Sequence, residues 1–126
     1  MPRLRASGFF EWVAEGGRKR ARNFALPERP AFGFAGLWDV WEGDGKKVVS
    51  CCVVTTTPND LVRPVHDRML VILPRESYAA WLDPETPERR LKELLAPFPA
   101  DAMKVTQVGP AVNLPRNDGP ECLEAA

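Results

Sequence analysis

Thirteen prolines are spread through 126 residues, about twice ordinary usage, and they limit what this chain can build more than any other feature. A proline fixes φ and donates no backbone hydrogen bond, which excludes it from helix interiors and from the middle of sheets. Short strands joined by irregular connections are therefore expected, with no long regular element.

The segments between prolines read mostly as strands. Ala6-Ser7-Gly8-Phe9-Phe10-Glu11-Trp12-Val13 alternates loosely and is rich in aromatics, which predicts a short strand ending in a turn at Glu15-Gly16-Gly17. Arg18-Lys19-Arg20-Ala21-Arg22 and Asn23-Phe24-Ala25-Leu26 give the returning strand of that hairpin, closed by Pro27. Residues 31–41 place Phe32, Phe34 and Trp38 at even spacing with small residues between them, as in a strand passing close to other backbone. Gly43-Asp44-Gly45 turns the chain, and residues 47–55 read as a long, mostly buried strand, so these two strands should form the hairpin at the centre of the sheet. Asn59 or Asp60 caps a helical turn through Val62, and Met69-Leu70-Val71-Ile72-Leu73 is a buried strand closed by Pro74.

Helical spacing appears twice in succession. Residues 75–82 put Tyr78, Trp81 and Leu82 on one face, and a second helix opening at Thr86 and Pro87 carries the stripe Leu91, Leu94 and Leu95. Both stripes read as core. Residues 103–108 form a late strand, and Asn113 to Gly119 a surface loop before a polar tail. The fold class is α+β: a single domain over residues 1–126, with a strongly curved, barrel-like mixed β-sheet and two short adjacent helices.

Cations and anions balance at 17 each, so net charge does not decide for or against nucleic acid. No apolar run approaches the roughly 18 residues of a membrane span, and Arg3 and Arg5 precede no hydrophobic signal core; the chain reads as cytoplasmic, with no membrane partner. Cys51 and Cys52 form a vicinal pair in a strand-like run and Cys122 lies near the tail, a spacing that suits neither disulfides nor zinc. Mid-strand thiols in apolar company are read as packing residues. With one histidine and no Cys-x-x-Cys, no metal and no cofactor is expected.

That histidine, His66, lies in Pro64-Val65-His66-Asp67-Arg68-Met69, between a polar turn and an apolar run. An imidazole can give or take a proton near neutral pH, and Asp67 and Arg68 can set its local charge; the competing reading is a hydrogen-bonded structural residue. Glu11 has two readings as well. If Phe10 and Trp12 face the core it points outward and is inert, the orientation the strand alone favours; if the strand borders a cleft it is a desolvated acid beside a stacking ring. A His and a Glu on separate strands, near Arg68, the basic run 18–22 and Trp12, would hold phosphate, stack a base and move a proton. No nucleophile is evident.

Two blocks of this sequence resemble the SOS-response-associated peptidase family, also described as abasic-site processing proteins. Residues 6–12 look like its Ala-Ser-Gly-Phe-Tyr-Glu-Trp block, followed by Phe34-Ala35-Gly36-Leu37-Trp38. Thr55 through Asn59 and then His66-Asp67-Arg68-Met69 are similar to its Thr-Thr-x-Ala-Asn and His-x-Arg-Met-Pro signature, and Trp81-Leu82 and Val112-Asn113 resemble further positions. The resemblance implies binding of single-stranded DNA at an abasic site, where an N-terminal cysteine joins its amine and thiol to the sugar aldehyde as a covalent DNA–protein crosslink. The same cysteine is freed by self-cleavage, a peptidase activity. It casts His66 as the proton donor that opens the sugar ring, Glu11 as the acid/base group near the amine, and Trp12, Arg68 and Thr55 as DNA contacts. Here the residues that family members carry before the first block, including that cysteine, are missing; position 2 is Pro2, and Leu70 replaces the proline after Met69. The expectation is an N-terminally truncated, monomeric member, with a non-catalytic DNA-binding remnant as the alternative.

Overall fold

The structure is a computed structural model that describes residues 3–126; Pro2 lies outside the described residues. Its strands are β1 (Arg3–Ala6), β2 (Phe9–Glu15), β3 (Arg18–Ala25), β4 (Phe32–Gly43), β5 (Lys46–Val53), β6 (Thr55–Thr56), β7 (Met69–Leu70), β8 (Ile72–Leu73) and β9 (Lys104–Gln107). Two short helices follow β8: α1 (Tyr78–Leu82), entered through a 3-10 turn, and α2 (Glu88–Glu93). The class is α+β. Among the described residues the strands form three separate sheets with antiparallel pairings throughout, ordered β1-β4-β5 with β8 also on β4, then β2-β3-β9, then β6-β7. The expected single curved, barrel-like mixed sheet is not what forms.

One of the breaks lies at Ala35. One edge of β4 pairs with β5 from Gly36 onward and with β8 at Phe34 and Gly33, so the strand changes partners across one residue. There the Val54 N–H donates to the Ala35 carbonyl, the Ala35 N–H to that of Val71, and the Val71 N–H to that of Val54, each at 2.9 Å. Three chain segments thus satisfy one another in a ring of hydrogen bonds, where β4 runs on unbroken but exchanges β8 for β5 along this edge, and β6 and β7 pair apart from it. Val71 is also the break that divides the single strand expected over residues 69–73 into β7 and β8.

Alternation on β4 separates two cores. Phe32 and Phe34 join Phe9, Phe24, Leu26, Val62, Met69, Ile72 and Met103 on one side. Ala35 joins Val71, Leu73, Trp81 and Leu94 on the other, so the two expected helical stripes do reach a core through Trp81 and Leu94. Leu82 is exposed. Both hairpin turns use left-handed backbone: Gly16 and Gly17 at φ 57° and 76°, and Asp44, the one non-glycine at positive φ among the described residues, with Gly45 at 51° and 70°.

The second hairpin is a correction. β5 is exposed from Lys46 to Cys52, and the outer halves of β4 and β5 stand away from both cores rather than at the centre of a sheet. Cys51 and Cys52 are exposed, not packed; Cys122 is the buried thiol. The sequence there is apolar on both faces, which suits a doubly covered strand, yet nothing among the described residues covers it.

Candidate active site

Glu11 is carried by β2, whose register against β3 is set by the Phe9–Phe24 pair, stacked with centroids 5.1 Å apart in the first core. Alternation places Glu11, Val13 and Glu15 on the same face as Phe9, and puts Phe10 and Trp12 on the opposite one. The outward, inert orientation of Glu11 therefore depended on the wrong aromatics facing in. Glu11 continues the core face just where the core opens.

His66 reaches that opening from the 60–65 turn. Asn59 Oδ1 accepts from the N–H groups of Leu61 and Val62 at 3.1 and 3.0 Å, capping the turn as expected, while its Nδ2 donates to the Phe98 carbonyl at 2.7 Å. The Val65 and His66 N–H groups then donate to the Val62 carbonyl at 2.8 and 2.9 Å. His66 Nε2 ends 3.9 Å from Glu11 Oε2, with the Glu11 side chain 25% exposed and the His66 ring 43%. The Arg68 N–H donates to Nδ1 at 3.0 Å. The Arg68 carbonyl lies at the same 3.0 Å from Nδ1, so this nitrogen accepts from the Arg68 N–H in one tautomer, which leaves Nε2–H facing Glu11, and donates to the Arg68 carbonyl in the other. Asp67 Oδ1 lies 3.3 Å from Nδ1.

Arg68 is fixed by Thr55, not by an acid. Its Nη2 donates to the Thr55 carbonyl at 2.9 Å and to Oγ1 at 3.2 Å, with Nε 3.3 Å from Oγ1. The β6–β7 pairing of Thr55 with Leu70 and Thr56 with Met69 brings these residues together. The guanidinium is exposed and bonded only to neutral groups at these contacts, which leaves its charge for an anion.

Arg22 also belongs to this face, directly opposite Glu11 in register. One terminal nitrogen is bonded to Glu15 and the other is buried without a partner. In the sequence it was one of four cations in a run; alternation against Glu11 is the signal that separates it from Lys19. Trp12 is not beside the Glu11–His66 pair. It lies on the reverse of β2, where its Nε1 donates to Asn113 Oδ1 at 2.7 Å. Asn113 also lines, with Arg18, Lys19, Arg20 and Gln107, a cavity of about 300 Å³. Among the described residues no group of three His, Cys, Asp or Glu side chains could hold a metal, and no helix is long and apolar enough to cross a membrane.

An α+β scaffold with an acid on β2, a histidine after a capped turn and a Thr-anchored arginine defines the class. The family model described as SOS response associated peptidase matches residues 4–115, and the chain belongs to that family. It is 38% identical over 123 residues to the abasic site processing protein YoqW of Bacillus subtilis (strain 168), covering 95% of this chain and 55% of that one. It is 31% identical over 140 residues to the abasic site processing protein HMCES of Gallus gallus, covering 94% and 41%. A crystal structure of a Bacteroides thetaiotaomicron protein superposes with a TM-score of 0.89 at 26% identity, covering 98% of this chain and 56% of that one. The chain thus spans about half the length of the relatives it matches.

Proposed function

We propose that this chain carries the proton-transfer half of an abasic-site reaction on single-stranded DNA in the cytoplasm. An abasic sugar rests mainly as a closed hemiacetal. Opening it puts a proton on the ring oxygen, breaks the bond from that oxygen to C1′ and removes the proton of the C1′ hydroxyl. His66 Nε2–H gives the first proton, and Glu11 takes protons released at C1′, from the hydroxyl or from an attacking amine. At 3.9 Å the two groups are too far apart for direct transfer, so the proton returns from Glu11 to His66 through solvent once product leaves. Arg68, oriented by Thr55, and Arg22 hold the flanking phosphates. Trp12, on the other face of β2, stacks an unpaired base further along the strand. In the whole family protein, on this reading, the chemistry ends in a covalent DNA–protein crosslink and is accompanied by autopeptidase cleavage.

The observation that carries this reading is the Glu11–His66 contact, made across 55 positions of sequence at the mouth of a core. Methoxyamine capture of the aldehyde in an abasic oligonucleotide, run where ring opening limits the rate, tests it. The chain accelerates capture, and His66→Ala and Glu11→Gln abolish the acceleration while DNA affinity holds. Equal capture with and without protein refutes it. A second reading, DNA binding without chemistry, is favoured by Arg68, whose exposed guanidinium is held by Thr55 alone at these contacts and is open to a phosphate. It predicts salt-sensitive binding unchanged by His66→Ala and no acceleration of capture.

A further inference from the structure

Beyond Gly36 the β4–β5 hairpin leaves the body of the protein with apolar side chains on both sides. Register and alternation place Trp38, Val40, Val49 and Cys51 on one side, and Leu37, Trp41, Val48 and Cys52 on the other. Trp38 is 58% exposed, Trp41 55% and Val49 63%. Contiguous exposed apolar surface marks an interaction site, and strands apolar on both faces are strands covered on both faces. β5 also ends its sheet, so its outer row of backbone N–H and C=O groups is unpaired among the described residues.

The two-sidedness selects the occupant. A second copy docked face to face covers one side; a second copy joined edge to edge through β5 covers neither. Only a polypeptide that wraps the hairpin covers both. The relatives give its scale: the same fold accounts for 56% of the Bacteroides protein, and the matched region for 55% of YoqW, so a little under half of each has no counterpart here.

We propose that residues 37–41 and 48–52 are the seat of a companion polypeptide that clasps both faces of this arm. It is equivalent to the part of the full-length relatives that this chain does not match, whether covalently joined to it or separate. The hairpin tip stays wet, since Glu42 and Lys47 pair there at 3.8 Å with both side chains well exposed. The inference is independent of the chemistry at His66.

The two thiols are built-in reporters, one on each side of β5, while Cys122 is buried. Maleimide labelling of Cys51→Ser and Cys52→Ser variants reads each side separately. The probe is the unmatched segment of YoqW, co-expressed with this chain and, in parallel, fused to it through a flexible linker that gives millimolar effective concentration. The expected result is protection of both thiols by about tenfold or more in the fused or the co-expressed form. Val48→Asp and Val49→Asp, on opposite sides, should each remove the protection at both thiols and leave the urea midpoint of the free chain unchanged. Protection of one thiol only, protection that rises with the concentration of the chain alone, or free thiols even in the fusion overturns the proposal. Loss of His66 activity without loss of protection leaves it standing, so the two readings fail separately.

Discussion

Asn59→Ala is the substitution from which most can be learned. The side chain does two jobs at opposite ends: Oδ1 caps the turn leading to His66, and Nδ2 ties that turn to the Phe98 carbonyl, with Met103 Sδ at 3.2 Å. Removing a capping side chain costs roughly 1 kcal/mol. Losing the hydrogen bond to a half-buried carbonyl costs roughly another 1 kcal/mol, and somewhat more when that carbonyl is left without a partner. The sum is about 2–3 kcal/mol, which at an ordinary urea slope moves the midpoint down by about 1 M or more. Asn59→Asp separates the two jobs, because it keeps the capping oxygen but turns an acceptor toward the Phe98 carbonyl; it should lose at least as much as Asn59→Ala. Asn59→Ser should recover about half. Urea melts followed by tryptophan fluorescence, with unchanged slopes, measure all three. If Asn59→Ala shifts stability by less than about 0.5 kcal/mol, or Asn59→Asp matches the parent, the loop carrying His66 is not held as described.

Other substitutions probe other parts. Phe24→Ala removes a fully buried ring stacked on Phe9 and should cost about 3–5 kcal/mol by chemical denaturation, taking the β2–β3 register with it. Tyr78→Phe deletes the acceptor for the Gly33 N–H at 2.9 Å and for Arg29, and a thermal melt should register a loss of about 1–2 kcal/mol. Arg68→Lys keeps the charge but not the fork on Thr55; binding of single-stranded DNA by fluorescence anisotropy should weaken several-fold with little change in its salt slope, whereas Arg68→Ala should also flatten that slope. Lys92→Ala breaks an exposed pair with Glu88 on α2 and should change stability by no more than about 0.5 kcal/mol.

Much of this architecture is legible in the residues themselves. Gly16-Gly17 and Asp44-Gly45 mark both long hairpins, Asn59 marks the cap, and Trp81 and Leu94 mark the inner faces of the helices, because each is a local signal with a local cause. Alternation could not choose the face of Glu11, since Phe9, Phe10 and Trp12 are all aromatic and only the partner strand shows which ring is stacked inside. The same ambiguity put Trp12 beside His66 when it is on the reverse side. The exposure of β5 is not legible for a different reason: Val48, Val49, Cys51 and Cys52 describe what a strand can pack against, not whether that surface is supplied by these residues. The division of residues 69–73 at Val71 depends on contacts with Ala35 and Val54, remote in sequence, and has no local signature.

The ring of backbone bonds at Ala35, Val54 and Val71 acts as a firewall. Distal to it the arm should accept lengthening or shortening by matched pairs of residues, since even steps keep each side chain on its own side and the ring itself is left intact. Evolution, or an engineer, can therefore rewrite what the arm grips while the acid, the imidazole and the anchored arginine keep their spacing.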